Sequence, residues 1–131
     1  MEKSKHFEEL IVWQKAHQFV LKVNALTKEF PKEEQFGLTS QFRRAAISMA
    51  ANIVEGYSKK GLKDKIRYLN NSQGSLSECQ YYLRLTKDLN YAPIEKFGMD
   101  LEEVSKLLNA YSRGISKNSQ LLNSSNAQIF L

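Results

Sequence analysis

Apolar residues recur along the first third of the chain at alternating steps of four and three positions. This spacing aligns side chains along one side of an α-helix. The members of this first apolar stripe are Val12, Ala16, Phe19, Val23, Leu26 and Phe30. Pro31 follows directly, and its ring disfavours helical geometry in the residue before it. The pattern therefore predicts a first helix over residues 8–30.

Three further periodic runs follow, each with a start or stop signal. Thr39 or Ser40 suits the N-cap of a second helix, because its hydroxyl can accept from free backbone amides. Pro93 suits the first turn of the last helix. The apolar stripe of the third run consists of Leu62, Ile66, Leu69, Leu76 and Leu83. The predicted second, third and fourth helices span residues 39–57, 62–89 and 93–122, and an Asn/Ser-rich segment at 123–131 is predicted to be a flexible tail.

The connections between these helices are short, which favours antiparallel neighbours. The sequence thus predicts an all-α protein, an antiparallel up-down-up-down four-helix bundle forming a single domain over residues 1–131. With Gly 6 and Pro 2 among 131 residues, the chain is poor in the turn formers of sheet proteins. Further apolar ridges suggest more apolar surface than one bundle buries, so a homo-oligomer is expected. The ridge residues are Leu10, Trp13, Val20, Tyr82, Leu85 and Leu89.

Composition limits the class of protein. The chain is 42% hydrophobic and 25% charged, an ordinary balance for a soluble globular domain. Charged and polar residues interrupt every apolar run before it reaches the length of a signal peptide or of a membrane span. Cys79 is the single cysteine and cannot form an internal disulfide, which suits a reducing compartment. The expected location is the cytoplasm, with no membrane partner.

Catalytic and metal-binding patterns are missing from the sequence. Di-iron bundles use Glu-x-x-His pairs, and neither His6 nor His17 stands three residues after a glutamate. Cys79 has no second cysteine for a metal or redox motif and falls near the apolar stripe of the third helix. A nucleophile with an adjacent histidine is also missing. We therefore expect no enzymatic activity, no catalytic residue, no metal and no cofactor.

A polar row runs along the second predicted helix. Arg44, Ser48, Asn52 and Glu55 fall at steps of four, four and three, so they share one face. They are either a structural hydrogen-bonded network, closed by Glu78 and Ser75 of the third helix, or the lining of a ligand pocket. Alanines elsewhere on the same helix favour the structural interpretation, because they permit close helix packing. In that interpretation Arg44 lies in the interior and Arg43 at the surface.

Positive charge is concentrated in the middle of the chain. Residues 36–87 hold nine Lys or Arg against three acidic residues, a net +6 within a chain of net charge +5. Five of these cations crowd the predicted turn between helices two and three: Lys59, Lys60, Lys63, Lys65 and Arg67. The turn should share one end of the bundle with Lys3, Lys5, Arg113 and Lys117. This charge is either an ordinary solvated surface or a face that binds the phosphates of nucleic acid.

Three separated motifs resemble one bacterial family. They are Phe7-x-x-Leu10-x-Val12-Trp13-Gln14-Lys15-Ala16, the run from Gly37 to Gly56 containing Arg43-Arg44-Ala45-Ala46 and Asn52-Ile53-x-Glu55-Gly56, and Gly74-Ser75-Leu76-x-Glu78. Together they are similar to the four-helix-bundle proteins encoded by intervening sequences in 23S ribosomal RNA genes. The resemblance extends to the accessory protein of diversity-generating retroelements. It implies ring-shaped homopentamers with basic surfaces, no established enzymatic activity, and binding of nucleic acid or of a nucleic-acid enzyme.

Two functional hypotheses follow from charge and resemblance together. The first is a non-enzymatic homo-oligomer that binds RNA or DNA electrostatically through Lys59, Lys60, Lys63, Lys65 and Arg67. The alternative is a protein-interaction scaffold or accessory subunit that docks a nucleic-acid enzyme such as a reverse transcriptase. Salt separates them, because phosphate binding weakens steeply as salt rises, whereas apolar docking depends on it much less.

Overall fold

The structure is a computed structural model that describes the backbone of residues 6–130 and the side chains of residues 6–118. Within that range it holds four α-helices and no strand, which confirms the all-helical prediction. Short 3-10 turns lie before α1, at Phe7–Glu9, and between α1 and α2, at Lys32–Glu34. The helices are α1 Ile11–Thr27, α2 Leu38–Ser58, α3 Leu62–Asp88 and α4 Glu95–Phe130.

The ends of the helices differ most from the sequence prediction at α1 and α4. Leu10 has extended backbone (φ −74°, ψ 122°) and separates the first 3-10 turn from α1, so the helix begins at Ile11 instead of residue 8. The backbone of α4 stays helical to Phe130, beyond the predicted end of the helix at residue 122 and into the predicted tail at 123–131. Asn and Ser are weak helix formers, but neither Gly nor Pro follows Gly114 to end the helix.

A continuous apolar core fills the space between the helices. α2 packs against α1 and α3, and α4 packs against the same two helices. Every helix contributes side chains that are at most 2% exposed: Phe19 and Val23, Phe42, Met49 and Ile53, Leu69 and Leu76, and Leu101 and Leu108. Each such side chain stabilises the fold by roughly 1.5–3 kcal/mol relative to its exposure in water. The first apolar stripe is buried as predicted, except that Leu26 is only half-buried.

The seam between α2 and α3 is close and polar at its centre. The Ser72 hydroxyl donates to the backbone oxygen of Met49 at 2.7 Å, and the Ser75 hydroxyl donates to Ser48 Oγ at 2.8 Å. Gly56 lies against Leu69, where an added Cβ would come within 3.2 Å of the leucine Cδ2. The glycine and the serines therefore let the two helices approach closely.

Polar contacts also join the other helices. Across α1 and α4, Lys22 pairs with Asp100 at 2.8 Å, and Lys15 pairs with Glu103 at 3.3 Å. At the end of the molecule that holds the α1–α2 connection, the Tyr91 hydroxyl donates to Glu34 Oε2 at 2.6 Å. The other oxygen of Glu34 accepts from the Leu38 amide at 3.2 Å, at the start of α2. The tyrosine bond and then the amide bond hold the pKa of Glu34 below its usual value.

The apolar ridges expected to drive oligomerisation are largely used within the chain. Five of the six residues are half-buried against the core: Leu10, Trp13, Val20, Tyr82 and Leu85. Leu89 alone among the six is exposed. Most of these ridges therefore supply no surplus apolar surface, because the apolar face of each helix is wider than the heptad pattern suggests. The homo-oligomer stays a prediction.

Candidate nucleic-acid interface

The connection between α2 and α3 brings the predicted cations together. Lys59 leaves the helix with extended backbone (φ −76°, ψ 147°), and Gly61 precedes α3 with a similar conformation (φ −80°, ψ 140°). The connection is thus only residues 59–61, so the end of α2 lies beside the start of α3. We call the cations around it the basic turn: Lys59, Lys60, Lys63, Lys65 and Arg67.

Lys65 is engaged in holding the turn together. Its ammonium group donates to the backbone oxygens of Gly56 at 3.2 Å and Tyr57 at 2.9 Å. It also lies 5.9 Å from the centre of the Tyr57 ring. These carbonyls belong to the last turn of α2, where helical partners run out and a positive charge is favourable. Lys65 therefore has a structural role as a cap and is the member least available to an external phosphate.

Lys59 and Arg67 both lie near the ring of Tyr68. Lys59 Nζ is 5.2 Å from the ring centre, and the Arg67 guanidinium carbon is 4.8 Å from it. Each cation also has an acidic neighbour on its own chain, Glu55 at 3.6 Å and Asp64 at 3.5 Å respectively. Such exposed ion pairs contribute about 0–1 kcal/mol, so a phosphate can compete for the cations. Sequence reasoning missed the tyrosines, whose signal was their position next to the charge run.

Lys60 and Lys63 are the most available members of the basic turn. Both are exposed, and neither makes an ion pair with any acidic side chain in the described part of the molecule. Lys60 lies in the three-residue connection and Lys63 in the first turn of α3. They present positive charge to solvent without an internal counter-ion. The basic turn thus contains three exposed or half-exposed lysines, including Lys59, around one tight connection.

The later part of α4 approaches the same end of the molecule. Burial raises the pKa of Tyr111, and the phenol of Tyr57 adds to that shift, which requires the two side chains to be near each other. Arg113 and Lys117 follow Tyr111 on α4, and both are exposed. The grouping of Arg113 and Lys117 with the basic turn stays a prediction. Lys3 and Lys5 lie outside the described residues.

The polar row of α2 divides into an inner and an outer part. The side-chain amide of Asn52 donates to the backbone oxygen of Ser48 at 2.8 Å and to its hydroxyl at 3.1 Å. Together with Ser75, these groups form a small hydrogen-bonded network between α2 and α3. The charged members Arg44, Glu55 and Glu78 are exposed instead. Three of the predicted network residues therefore lie at the surface and outside this network.

The arginine that reaches into the structure is Arg43, the neighbour of the predicted one. Its Nε donates to Thr27 Oγ1 at 2.7 Å, and its Nη2 donates to the backbone oxygen of Asn24 at 3.3 Å. Thr27 is 2% exposed, so this bond links α2 to a buried hydroxyl of α1. Arg44 is turned by about 100° from Arg43 on the same helix, which places it toward solvent. The prediction of an interior Arg44 is corrected accordingly.

Reactive groups elsewhere in the described residues offer little chemistry. Cys79 is buried, and burial raises the pKa of its thiol to about 12, so it stays protonated and unreactive. Among residues 6–118, His, Cys, Asp and Glu side chains do not assemble in groups of three or more that could hold a metal ion. None of the described helices is long and apolar enough to cross a membrane.

The fold and the basic turn define an all-helical protein with a cationic connection between its two central helices. The model of the 23S rRNA-intervening sequence protein family matches residues 8–110, and the chain belongs to this family. The membership expected from the three motifs is thereby confirmed.

A solved structure shares the same fold. It is the crystal structure of a protein of unknown function from the S23 ribosomal protein family of Bacteroides thetaiotaomicron VPI-5482. It is 27% identical in sequence, with a TM-score of 0.71, and the match covers 79% of this chain and 96% of that chain. A search of curated proteins finds no match. The relation to retroelement accessory proteins stays a prediction.

Proposed function

We propose that this chain is a non-enzymatic homo-oligomer whose basic turn binds the phosphates of RNA or DNA. The observation that supports the proposal most is that Lys60 and Lys63 are exposed, beside Lys59 at a three-residue connection, and form no ion pair among residues 6–118. Phosphate contacts of this kind depend on charge and carry little base information. The protein therefore binds nucleic acid with strong salt dependence and weak sequence preference.

Repetition of the basic turn in an oligomer strengthens this binding. We infer an antiparallel up-down-up-down bundle, supported by the contacts of Lys15 with Glu103 and Lys22 with Asp100. In these pairs, a later residue of α1 meets an earlier residue of α4. The family resemblance favours a ring of five copies, which would present five basic turns. Linked weak sites raise the effective concentration of one another and so increase overall affinity.

The test is a triple variant that removes charge from the basic turn while leaving Lys65 in place. Lys59, Lys60 and Lys63 are replaced with glutamine, and the matched control replaces Lys28, Lys32 and Lys96, three exposed lysines on other segments. Affinity is measured by fluorescence anisotropy for single-stranded and duplex RNA and DNA at several salt concentrations. Each phosphate contact that the substitutions remove should reduce the magnitude of the salt slope by roughly 0.7–0.9. Only the basic-turn variant should show this change.

Two outcomes would contradict nucleic-acid binding by the basic turn. One is a wild-type protein that binds none of the probes at low salt. The other is a basic-turn variant with the affinity and salt slope of the control. Ultraviolet absorbance of the purified protein gives an independent check, since co-purified nucleic acid raises the absorbance at 260 nm relative to 280 nm.

A second candidate function is that of an accessory subunit for a nucleic-acid enzyme such as a reverse transcriptase. The observation that favours it is a pair of exposed apolar side chains away from the basic turn, Phe36 at 88% and Met99 at 71% exposure. If these two side chains anchor a partner protein, their truncation weakens binding of that partner and changes the salt dependence of the binding little. Binding of a purified reverse transcriptase to wild type and to a Phe36→Ser, Met99→Ser variant tests this function.

A further inference from the structure

Two rows with the same pattern lie at the surface of adjacent helices. On α2 the row is Arg44, Ser48, Ala51 and Glu55, and on α3 it is Arg67, Asn71, Gly74 and Glu78; all are exposed except Ser48, which is half-buried. In both rows the residues stand at offsets of four, seven and eleven from the arginine, which keeps them within about 60° of one another around the helix. Each row thus begins with arginine, ends with glutamate about 16 Å further on, and has small or short polar residues between.

Within the chain, the Ser75–Ser48 bond sets Arg44 at about the level of Glu78 and Glu55 at about the level of Arg67, but among the described residues no ion pair joins either couple. Arg44 and Glu78 make no ion pair with each other or with other side chains in the described range. Glu55 and Arg67 make only local, exposed pairs within a few residues, with Lys59 and Asp64. All four groups are therefore available to a partner on the surface.

Gly74 has no role inside the chain that explains its position. It lies in the middle of α3, where glycine is less favourable than alanine. An added Cβ would meet nothing within 4 Å, so packing within the chain does not require glycine there. A close approach of another helix to the exposed side of α3 is the kind of contact that glycine permits.

We propose that the α2 row of one copy packs against the α3 row of a second copy, with the two helices antiparallel. This arrangement pairs Arg44 with Glu78 of the second copy, and Glu55 with Arg67 of the second copy. In the assembly Arg67 therefore belongs to the contact between copies, and Lys59, Lys60 and Lys63 make the phosphate contacts of the basic turn. Ala51 and Gly74 lie in the middle, where their small size allows close contact. The charge pattern selects this direction, because the parallel arrangement would place arginine beside arginine and glutamate beside glutamate.

Where each copy meets one neighbour with its α2 row and another neighbour with its α3 row, the contact is head-to-tail and each copy offers both halves of it. Contacts of this type close into rings when the rotation between copies allows it. Exposed apolar side chains next to the rows, Ile47 at 55% and Tyr81 at 59%, add apolar area to the contact. The inference rests on the proposed homo-oligomer and assigns its interface.

A mixing experiment tests the charge pairing between copies. Arg44→Glu alone places two glutamates together at each contact, and Glu78→Arg alone places two arginines together. Each variant should weaken assembly by about tenfold or more, as measured by analytical ultracentrifugation. When the two variants are mixed, the glutamate introduced in one chain meets the arginine introduced in the other, and mixed assemblies should form. Mixing does not alter the charges within either variant chain. Rescue therefore requires a contact between residues 44 and 78 of different chains.

A pair of glycine variants tests the close approach. Gly74→Leu should release smaller species, because the added side chain blocks the α3 row. Gly114→Leu is the matched control, since Gly114 is also an exposed glycine inside a helix, and an added Cβ there meets nothing within 4 Å. Circular dichroism confirms that both variants keep their helical content. The control should keep the mass of the wild type.

The outcomes separate this interface from the proposed function. A wild-type protein that stays monomeric at micromolar concentration overturns both the homo-oligomer and the interface. A wild-type oligomer whose mass is unchanged by Gly74→Leu, or by the two charge variants alone, overturns the interface and leaves the homo-oligomer in place. Dissociation by each variant with rescue on mixing supports both.

Discussion

Replacement of Arg43 with alanine should destabilise the fold more than replacement of Arg44. Arg43→Ala removes a bond from a charged donor to the hydroxyl of Thr27, which is 2% exposed, and a longer bond to the Asn24 carbonyl. Bonds to charged groups contribute roughly 1.5–3 kcal/mol, and a cation at a helix C-terminus adds about 0.3–1 kcal/mol. Side-chain freedom regained in the variant offsets part of this sum, which leaves a net destabilisation of about 2 kcal/mol.

This destabilisation converts into a shift in the melting temperature. At roughly 2.1 cal/mol/K per residue, unfolding of 131 residues carries an entropy of about 0.28 kcal/mol/K, so 2 kcal/mol lowers Tm by about 7 °C. Arg44 is exposed, and its replacement should change the free energy of unfolding of a single copy by no more than about 0.5 kcal/mol. Thermal melts followed by circular dichroism provide the measurement.

Protein concentration distinguishes the two arginines further. The contact of Arg43 lies within one chain, so its effect on Tm should be independent of concentration. Arg44 is assigned to a contact between copies, so its effect should appear only where the wild type is assembled. Equal shifts for the two variants in dilute solution, or a larger shift for Arg44→Ala, would refute the reasoning from the structure.

Three further predictions concern stability. Lys65→Gln removes the cation that caps the last turn of α2 and should lower Tm by about 4 °C, equivalent to roughly 1 kcal/mol, in thermal melts. Tyr91→Phe should lower Tm at pH 7. Because the folded-state pKa of Glu34 is depressed from 4.5, stability from this contact is present above that pH and is lost as pH falls through the lower folded-state pKa, so the difference in Tm should shrink as melts are taken to progressively more acidic pH. Gly56→Ala should lower Tm, because the new Cβ would lie 3.3 Å from a backbone oxygen, whereas Gly114→Ala should raise it by up to about 4 °C.

The sequence predicted the helices well because their evidence is local. A stripe such as Val12, Ala16, Phe19 and Val23 identifies a helix from spacing alone, and the stripe is buried in the structure. The start of α1 depended on the extended conformation of Leu10, which no residue type signals. Arg44 follows Phe42 by two positions, about 200° around α2, so it lies opposite the buried side chains of Phe42, Ala46, Met49 and Ile53 and is exposed.

The sequence predicted which cations form the basic turn, but it did not predict what each of them contacts. A run of lysines around a short connection is visible in the sequence, and the structure brings these residues together at the end of α2. Lys65 caps α2 because the packing of α3 brings its ammonium group to the backbone oxygens of Gly56 and Tyr57, and the sequence does not show this position. The approach of Lys59 and Arg67 to Tyr68 also requires the packed turn.

The three-residue connection between α2 and α3 also has a consequence for the order of folding. Closing so short a loop costs little chain entropy, and the hairpin it creates already contains the Ser72–Met49 bond and the contact of Gly56 with Leu69. α1 reaches the hairpin through a longer connection. Its ion pairs with α4, Lys22 with Asp100 and Lys15 with Glu103, join residues that are far apart in the sequence. We therefore expect the α2–α3 hairpin to form the folding nucleus. Its amides should exchange with deuterium most slowly, and substitutions in its seam should slow refolding more than they speed unfolding.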